Sequence, residues 1–225
     1  MAKKRAGSVF VVMGAVLMLS ALLLYVYNTL DARRAGNEAN QALDAMQAAI
    51  VQNQLSLNES PEQTAYGETT PENDPAEEIT EPEKLEPVEI DGYYYIGFLS
   101  VPEFELDLPV QSMISEDRLY KSPCLQFGSP ITDDAVIAGH NYKYHFLPLH
   151  NIEIGEKVTF TYMNGYTVEY SVSDVSIVHP TNIAAVQHSD HDFVMYTCTS
   201  GGSNRVAVFC DRTEPNVQNE DSRVA

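Results

Sequence analysis

The sequence predicts an all-β domain, a closed or partly closed barrel of seven to eight strands with one or two short helices, preceded by a single transmembrane helix. Three observations carry this expectation. One uncharged apolar stretch lies near the N-terminus, a long acidic stretch poor in large apolar residues follows it, and the remainder consists of short Val, Ile, Tyr, Phe and Thr runs between turn residues. The 225 residues carry a net charge of −19, and that charge is segregated. Residues 1–35 hold five basic side chains and one acidic, whereas residues 36–91 hold one basic and fourteen acidic. Such acidity excludes duplex nucleic acid as a partner. Three cysteines are too few for a disulfide-stapled miniprotein, and one apolar stretch excludes a polytopic membrane protein.

Taken in order, residues 1–8 form a cytoplasmic basic tail containing Lys3, Lys4 and Arg5. Residues 9–27 carry no charge and as a helix would extend about 29 Å, the hydrocarbon thickness of a bilayer. The stretch is longer than the apolar region of a cleavable signal and ends in Tyr25 and Tyr27, which suit the interface, so an uncleaved signal anchor is expected. Basic residues ahead of it outweigh Arg33 and Arg34, which Asp31 dilutes; the N-terminus is therefore expected inside. The chain would be a single-pass plasma-membrane protein whose folded domain is extracellular. Leu43, Met46, Ile50 and Leu57 recur at near-helical spacing, so residues 28–57 are expected to form a juxtamembrane helix. Residues 58–91 are rich in Pro, Glu, Thr and Asp and read as an acidic disordered linker, and residues 213–225 as a flexible tail. Residues 92–212, roughly 120 in number, suffice for one compact domain.

Within that domain strands are expected near residues 93–101, 105–110, 135–138, 157–163, 166–178, 193–197 and 205–211, with short helical turns at 114–120 and 146–151. Asn164-Gly165 is the dipeptide of a tight hairpin with two positive-φ residues. The last two strands flank Thr199-Ser200-Gly201-Gly202-Ser203-Asn204, a turn sequence. A symmetric hairpin register sets Cys198 opposite Arg205, Tyr196 opposite Ala207 and Val194 opposite Phe209, all on one face.

A thiol beside a fixed guanidinium is chemically suggestive, because the thiolate is the nucleophile and a neighbouring cation favours it. Arg205 does not give up its proton, so it orients and stabilises only. Thiol attack on a carbonyl also needs a group to protonate the leaving amine. Of six histidines, His140 follows the run 135–138 through Gly139 and would project from a strand end. Taken singly, each residue has a packing explanation: Cys198 a small hydrophobe, Arg205 a solvated strand end, His140 a capping residue. Cys210 falls on the opposite face with Val206 and Val208 and reads as core, although a Cys124–Cys210 disulfide is open to an extracellular chain. Two other classes compete. His188 and His191 with the intervening carboxylates suggest a zinc metallohydrolase, and the tether alone would suit a non-catalytic surface module.

Four stretches in order resemble the sortases, cysteine transpeptidases of the Gram-positive cell surface. These are Ile96-Gly97-Phe98-Leu99-Ser100-Val101-Pro102 with Leu108-Pro109-Val110, then Ala138-Gly139-His140-Asn141, then Val194-Met195-Tyr196-Thr197-Cys198, then Arg205-Val206-Ala207-Val208. The resemblance spans residues 92–212 and is nearest to a class D or class B type, since no Asp-Pro-aromatic lid precedes the domain. It implies a sortase-like barrel and catalytic residues Cys198, His140 and Arg205, with Thr197 and Thr199 at the substrate. It further implies cleavage of a C-terminal LPxTG-like sorting motif on surface proteins, through a thioacyl intermediate, and transfer to a peptidoglycan amine. A plain cysteine peptidase is the variant without transfer. No cofactor is implied, apart from a calcium site that Asp133, Asp134, Asp190 and Asp192 would offer, as in some members.

Overall fold

The computed structural model describes residues 2–58 and 79–213. The first element, α1 (Ala2–Asn58), is one unbroken helix of 57 residues. Within it lies the one stretch among the described residues that is long and apolar enough to cross a membrane, with none of its most apolar window buried. The separate juxtamembrane helix expected over 28–57 is therefore the continuation of the same helix. It contains no Pro and only Gly7, Gly14 and Gly36, and Ala, Gln and Leu carry the helix onward.

Nine strands follow: β1 (Val88–Ile90), β2 (Tyr93–Val101), β3 (Leu106–Gln111), β4 (Cys124–Phe127), β5 (Ala135–Ala138), β6 (Lys157–Tyr162), β7 (Thr167–Val178), β8 (Phe193–Cys198) and β9 (Arg205–Arg212). Two four-residue helices, α2 (Glu116–Leu119) and α3 (Ala184–Gln187), interrupt them. The order β2-β3-β4-β5-β8-β9-β7-β6 closes because β6 pairs back onto β2, giving an eight-stranded barrel. β1 is a ninth strand appended to the start of β2. The β3–β4 and β5–β8 pairs are parallel and the others antiparallel. Alternation fills the barrel with Leu99, Val101, Leu108, Ile137, Phe160, Phe193, Met195, Val208 and Cys210. The opposite faces of β5, β8 and β9 present Val136, Val194, Ala207 and Phe209, which pack with Val178 and with Val186 of α3.

The C-terminal half of α1 lies along the barrel. Ala35, Ala39, Ala42, Leu43, Met46 and Ile50 form one buried stripe at helical spacing, set against Tyr95 and Met163. Gly36 sits so close that an added Cβ would lie 2.7 Å from Tyr144 Cβ. The helix therefore meets the barrel within a few residues of its last apolar turn.

Three expectations are corrected. The linker expectation of 58–91 falls mostly on residues outside those described, but its last part is folded: Thr80 accepts a hydrogen bond from Asn164 Nδ2, Leu85 packs on the core, and β1 joins the sheet. Asp91 and Gly92, both at positive φ, make the two-residue turn between β1 and β2. At Asn164-Gly165 only Gly165 takes positive φ; with Thr161 opposite Thr167 and Tyr162 N–H bonded to the Tyr166 carbonyl, this is a three-residue hairpin loop ending in a bulge. Finally, all three cysteines are free, so no Cys124–Cys210 disulfide forms. The expected tail 213–225 lies, beyond Thr213, outside the described residues.

Candidate active site

Strand register builds the site. β8 and β9 pair with Cys198 opposite Arg205, Tyr196 opposite Ala207 and Val194 opposite Phe209, the symmetric register the turn sequence predicts. β5 runs parallel to β8 with Ala135 beside Phe193 and Ala138 beside Tyr196, a constant offset of 58 residues. The same offset sets His140 level with Cys198 and Asn141 level with Thr199. The two chains are still adjacent there: Gly139 N–H donates to the Tyr196 carbonyl at 3.1 Å and Asn141 Nδ2 to the Thr199 carbonyl at 3.5 Å. Neighbouring strands lie about 4.8 Å apart; Cys198 and Arg205 face each other on the ladder, and His140 stands two residues beyond the end of β5 on the chain beside Cys198. Gly139 is required at the end of β5, since a Cβ there would approach the Phe146 ring to 2.5 Å.

Cys198 is half-buried, whereas Cys124 and Cys210 are fully buried. Burial pushes the Cys124 thiol up to about 12 and raises that of Cys210 as well, so both stay protonated and inert. Among the described residues Arg205 has no carboxylate partner; its Nη1 donates to the Gly202 and Asn204 carbonyls, each at 3.1 Å. Its charge also reaches Tyr196, whose hydroxyl burial raises in pKa and the Arg205 charge lowers, and which donates to Gln126 Oε1.

The His140 ring lies between Tyr120 and Tyr142, with centroids 4.9 Å from each. Its Nε2 is buried without a hydrogen-bond partner, and no hydrogen bond joins the ring to Cys198 among the described residues. Burial lowers the His140 pKa, against the opposing charges of Asp31 and Glu116. A neutral imidazole with one free nitrogen is suited to proton transfer at neutral pH.

Several neighbours escaped sequence reasoning. His150, on a 3₁₀ turn over Leu147–Asn151, places Nε2 at 3.0 Å from the Cys198 carbonyl. A carbonyl only accepts, so Nε2 carries the proton and His150 tethers the backbone of the thiol-bearing residue. Tyr142 donates to Asp31 Oδ2 of α1 at 3.0 Å, tying the residue beside His140 to the stalk helix. Nothing in local sequence signals this last contact, because 111 residues separate its partners.

The two threonines differ from expectation. Thr197 faces inward, 1% exposed, with its hydroxyl unpartnered, because alternation turns it away from the Cys198 face. Thr199 closes its own loop: its N–H and its hydroxyl both donate to the Asn204 carbonyl, and its hydroxyl oxygen accepts from Asn204 N–H. Neither side chain is offered to a substrate in this arrangement. The calcium and zinc expectations find no support among the described residues, where no three His, Cys, Asp or Glu side chains converge. Asp133 is paired with Arg212, Asp134 accepts from Ser129 N–H, Asp192 accepts from Arg212 N–H, and His191 is bonded to Asp211.

The fold is a closed barrel of eight strands, with a free, half-buried thiol opposite an arginine that has no carboxylate partner among the described residues. The family model described as Sortase domain matches residues 99–213, and this chain belongs to the sortase family, whose members are cysteine transpeptidases. Solved structures of similar fold include sortase A from Corynebacterium diphtheriae (TM-score 0.51, 21% identity, covering 56% of this chain and 64% of that one). Sortase C1 from Streptococcus agalactiae gives TM-score 0.51 at 24% identity, covering 57% of this chain and 72% of that one. Sortase C1 from Streptococcus suis gives TM-score 0.50 at 23% identity, covering 56% and 76%. At these identities the likeness shows the fold. This chain thus spans under two-thirds of the Corynebacterium protein. No curated protein matches the sequence.

Proposed function

We propose that the protein is a membrane-anchored transpeptidase that uses Cys198 as nucleophile, His140 as general acid and base, and Arg205 as oxyanion and backbone-binding group. The observation that carries this reading is the Cys198–Arg205 pair on β8 and β9, with His140 just beyond the end of β5 where that chain still runs beside β8. Cys198 gives its thiol proton to His140 as its sulfur attacks the threonyl carbonyl of an LPxTG-like sorting motif near the C-terminus of a surface protein. The resulting oxyanion lies beside Arg205. Collapse of the tetrahedral intermediate breaks the C–N bond, and the departing glycyl amine takes a proton from the His140 imidazolium. A thioester remains on Cys198. A peptidoglycan amine then attacks it, giving up a proton to His140 and releasing the thiol. α1 spans the plasma membrane and holds the barrel on its outer side, a placement that the apolar stretch within Phe10–Leu55 supports.

The test uses the full-length chain in detergent micelles with a panel of sorting pentapeptides, followed by intact-mass detection. A thioester on Cys198 that converts to ligated product on adding diglycine or a diaminopimelyl amine is the expected result. Thioester that only hydrolyses would make the protein a peptidase. No thioester with any peptide would remove the assignment.

A further inference from the structure

A cavity of about 370 Å³ separates α1 from the loop that follows His140, lined by Tyr25, Asn28, Thr29, Arg33, Lys143 and Tyr144. In a chain of net charge −19, its lining holds two cations and no carboxylate. Neither cation is neutralised. Arg33 makes no ion pair or hydrogen bond among the described residues, and Lys143 has only the Tyr144 ring, at 5.4 Å. Of the nearby carboxylates, Glu38 is paired with both Arg34 and Lys121, and Asp31 keeps its charge but lies outside the cavity lining, where it accepts from Tyr142.

The position of the cavity decides what anion it suits. Arg33 lies six residues beyond Tyr27, where the uncharged stretch ends, which is about 9 Å along the helix axis. The headgroup layer on each side of a bilayer is about 5 to 8 Å deep. Arg33 therefore sits at the outer edge of that layer, within reach of lipid phosphates through its long side chain, with Lys143 and Tyr144 across the same cavity, while Tyr25 lies about 12 Å deeper, at the hydrocarbon edge that tyrosine rings favour.

We propose that this cavity is a headgroup site for an anionic phospholipid of the outer leaflet, with Arg33 and Lys143 binding its phosphodiester. Lys143 belongs to the same loop as His140 and Tyr142, so an occupied site fixes the active-site mouth against the membrane surface. The inference rests on α1 spanning the membrane, and the two claims are tested separately.

Full-length protein in neutral detergent micelles is titrated with dihexanoyl phosphatidylglycerol, dihexanoyl phosphatidylcholine and inorganic phosphate, and retained adducts are counted by native mass spectrometry. One phosphatidylglycerol is expected to be retained with at least about tenfold preference over phosphatidylcholine, as two charge-assisted contacts permit. R33Q/K143Q is expected to abolish that preference. R34Q, an equal loss of charge outside the cavity, is expected to keep it. Equal retention of the two lipids, survival of the preference in R33Q/K143Q, or displacement of phosphatidylglycerol by equimolar inorganic phosphate would each overturn the lipid assignment. Alkaline carbonate extraction of membranes tests the anchor independently: release of both wild type and R33Q/K143Q would refute the span, whatever the micelle titration shows.

Discussion

The two ends of the β8–β9 ribbon each bring a cysteine near an arginine, yet they have opposite physical characters. At the Phe193 end, Cys210 points into the barrel with 0% exposure, and Arg212 is consumed by Glu81 at 2.6 Å and Asp133 at 3.3 Å. At the other end, Cys198 is half-buried and, among the described residues, Arg205 donates only to two carbonyls of its own loop. Sequence proximity of thiol and guanidinium is thus no guide to reactivity. What separates the ends is the face that strand alternation assigns to the sulfur and whether carboxylates have already neutralised the cation.

Exchanging single atoms at the two ends breaks that comparison most directly. Cys198→Ala is expected to abolish thioester formation altogether, read by intact mass. Cys210→Ala should acylate normally and lose about 1 kcal/mol of stability from the small cavity it leaves, read by thermal melting. An acylating Cys198→Ala protein would show that the wrong sulfur has been assigned. Next in size, Arg205→Lys keeps the charge but loses the planar fork, and kcat/KM should fall at least about 100-fold, on the scale of one lost oxyanion donor, about 3 kcal/mol. Arg212→Lys makes the same chemical change at the structural end, where Arg212 grips Glu81 through both terminal nitrogens. There kcat/KM should hold while stability drops by about 1 kcal/mol.

The same contrast explains how much was legible beforehand. The register of β8 and β9 was readable because a polar turn of known length sits between two apolar runs, and period-two alternation then fixes every cross-strand pair. The face of Cys210 followed from the same count. β1 escaped because it is only three residues long and embedded in acidic sequence, although Asp91-Gly92 between Val-Glu-Ile and Tyr-Tyr-Tyr was a hairpin signal in plain view. β4 escaped because its ladder is short: one bridge to β3 and three to β5. Thr197 was placed at the substrate by its neighbour's importance, whereas alternation, applied consistently, turns its hydroxyl inward. Asp31 and His150 were out of reach because both act through tertiary contacts to segments far along the chain.

The corner of the site that sequence left dark supplies the two smaller predictions. His145 is fully buried, and burial takes its pKa down to about 4, against about 6.5 in an unfolded chain. Between those values the unfolded state binds the proton and the folded state does not. Stability should therefore be lost as pH falls from about 6.5 to 4, by up to about 3 kcal/mol relative to His145→Gln, measured by chemical denaturation at both ends of the window.

Asp31 offers the finest separation of geometry from charge. Its carboxylate accepts from Tyr142 and raises the His140 pKa, in concert with Glu116 and against burial. Asp31→Asn retains an acceptor oxygen for Tyr142 but removes the charge, so the titration of acylation that follows His140 should move to lower pH, with less than about tenfold change in rate at any pH. Tyr142→Phe keeps the charge and removes the hydrogen bond, so it should alter the maximal acylation rate more than the position of the curve. A pH–rate profile of thioester formation distinguishes the two. Identical profiles for wild type and both variants would mean that α1 supports the barrel as a passive spacer and that the electrostatics of the site end at the strands.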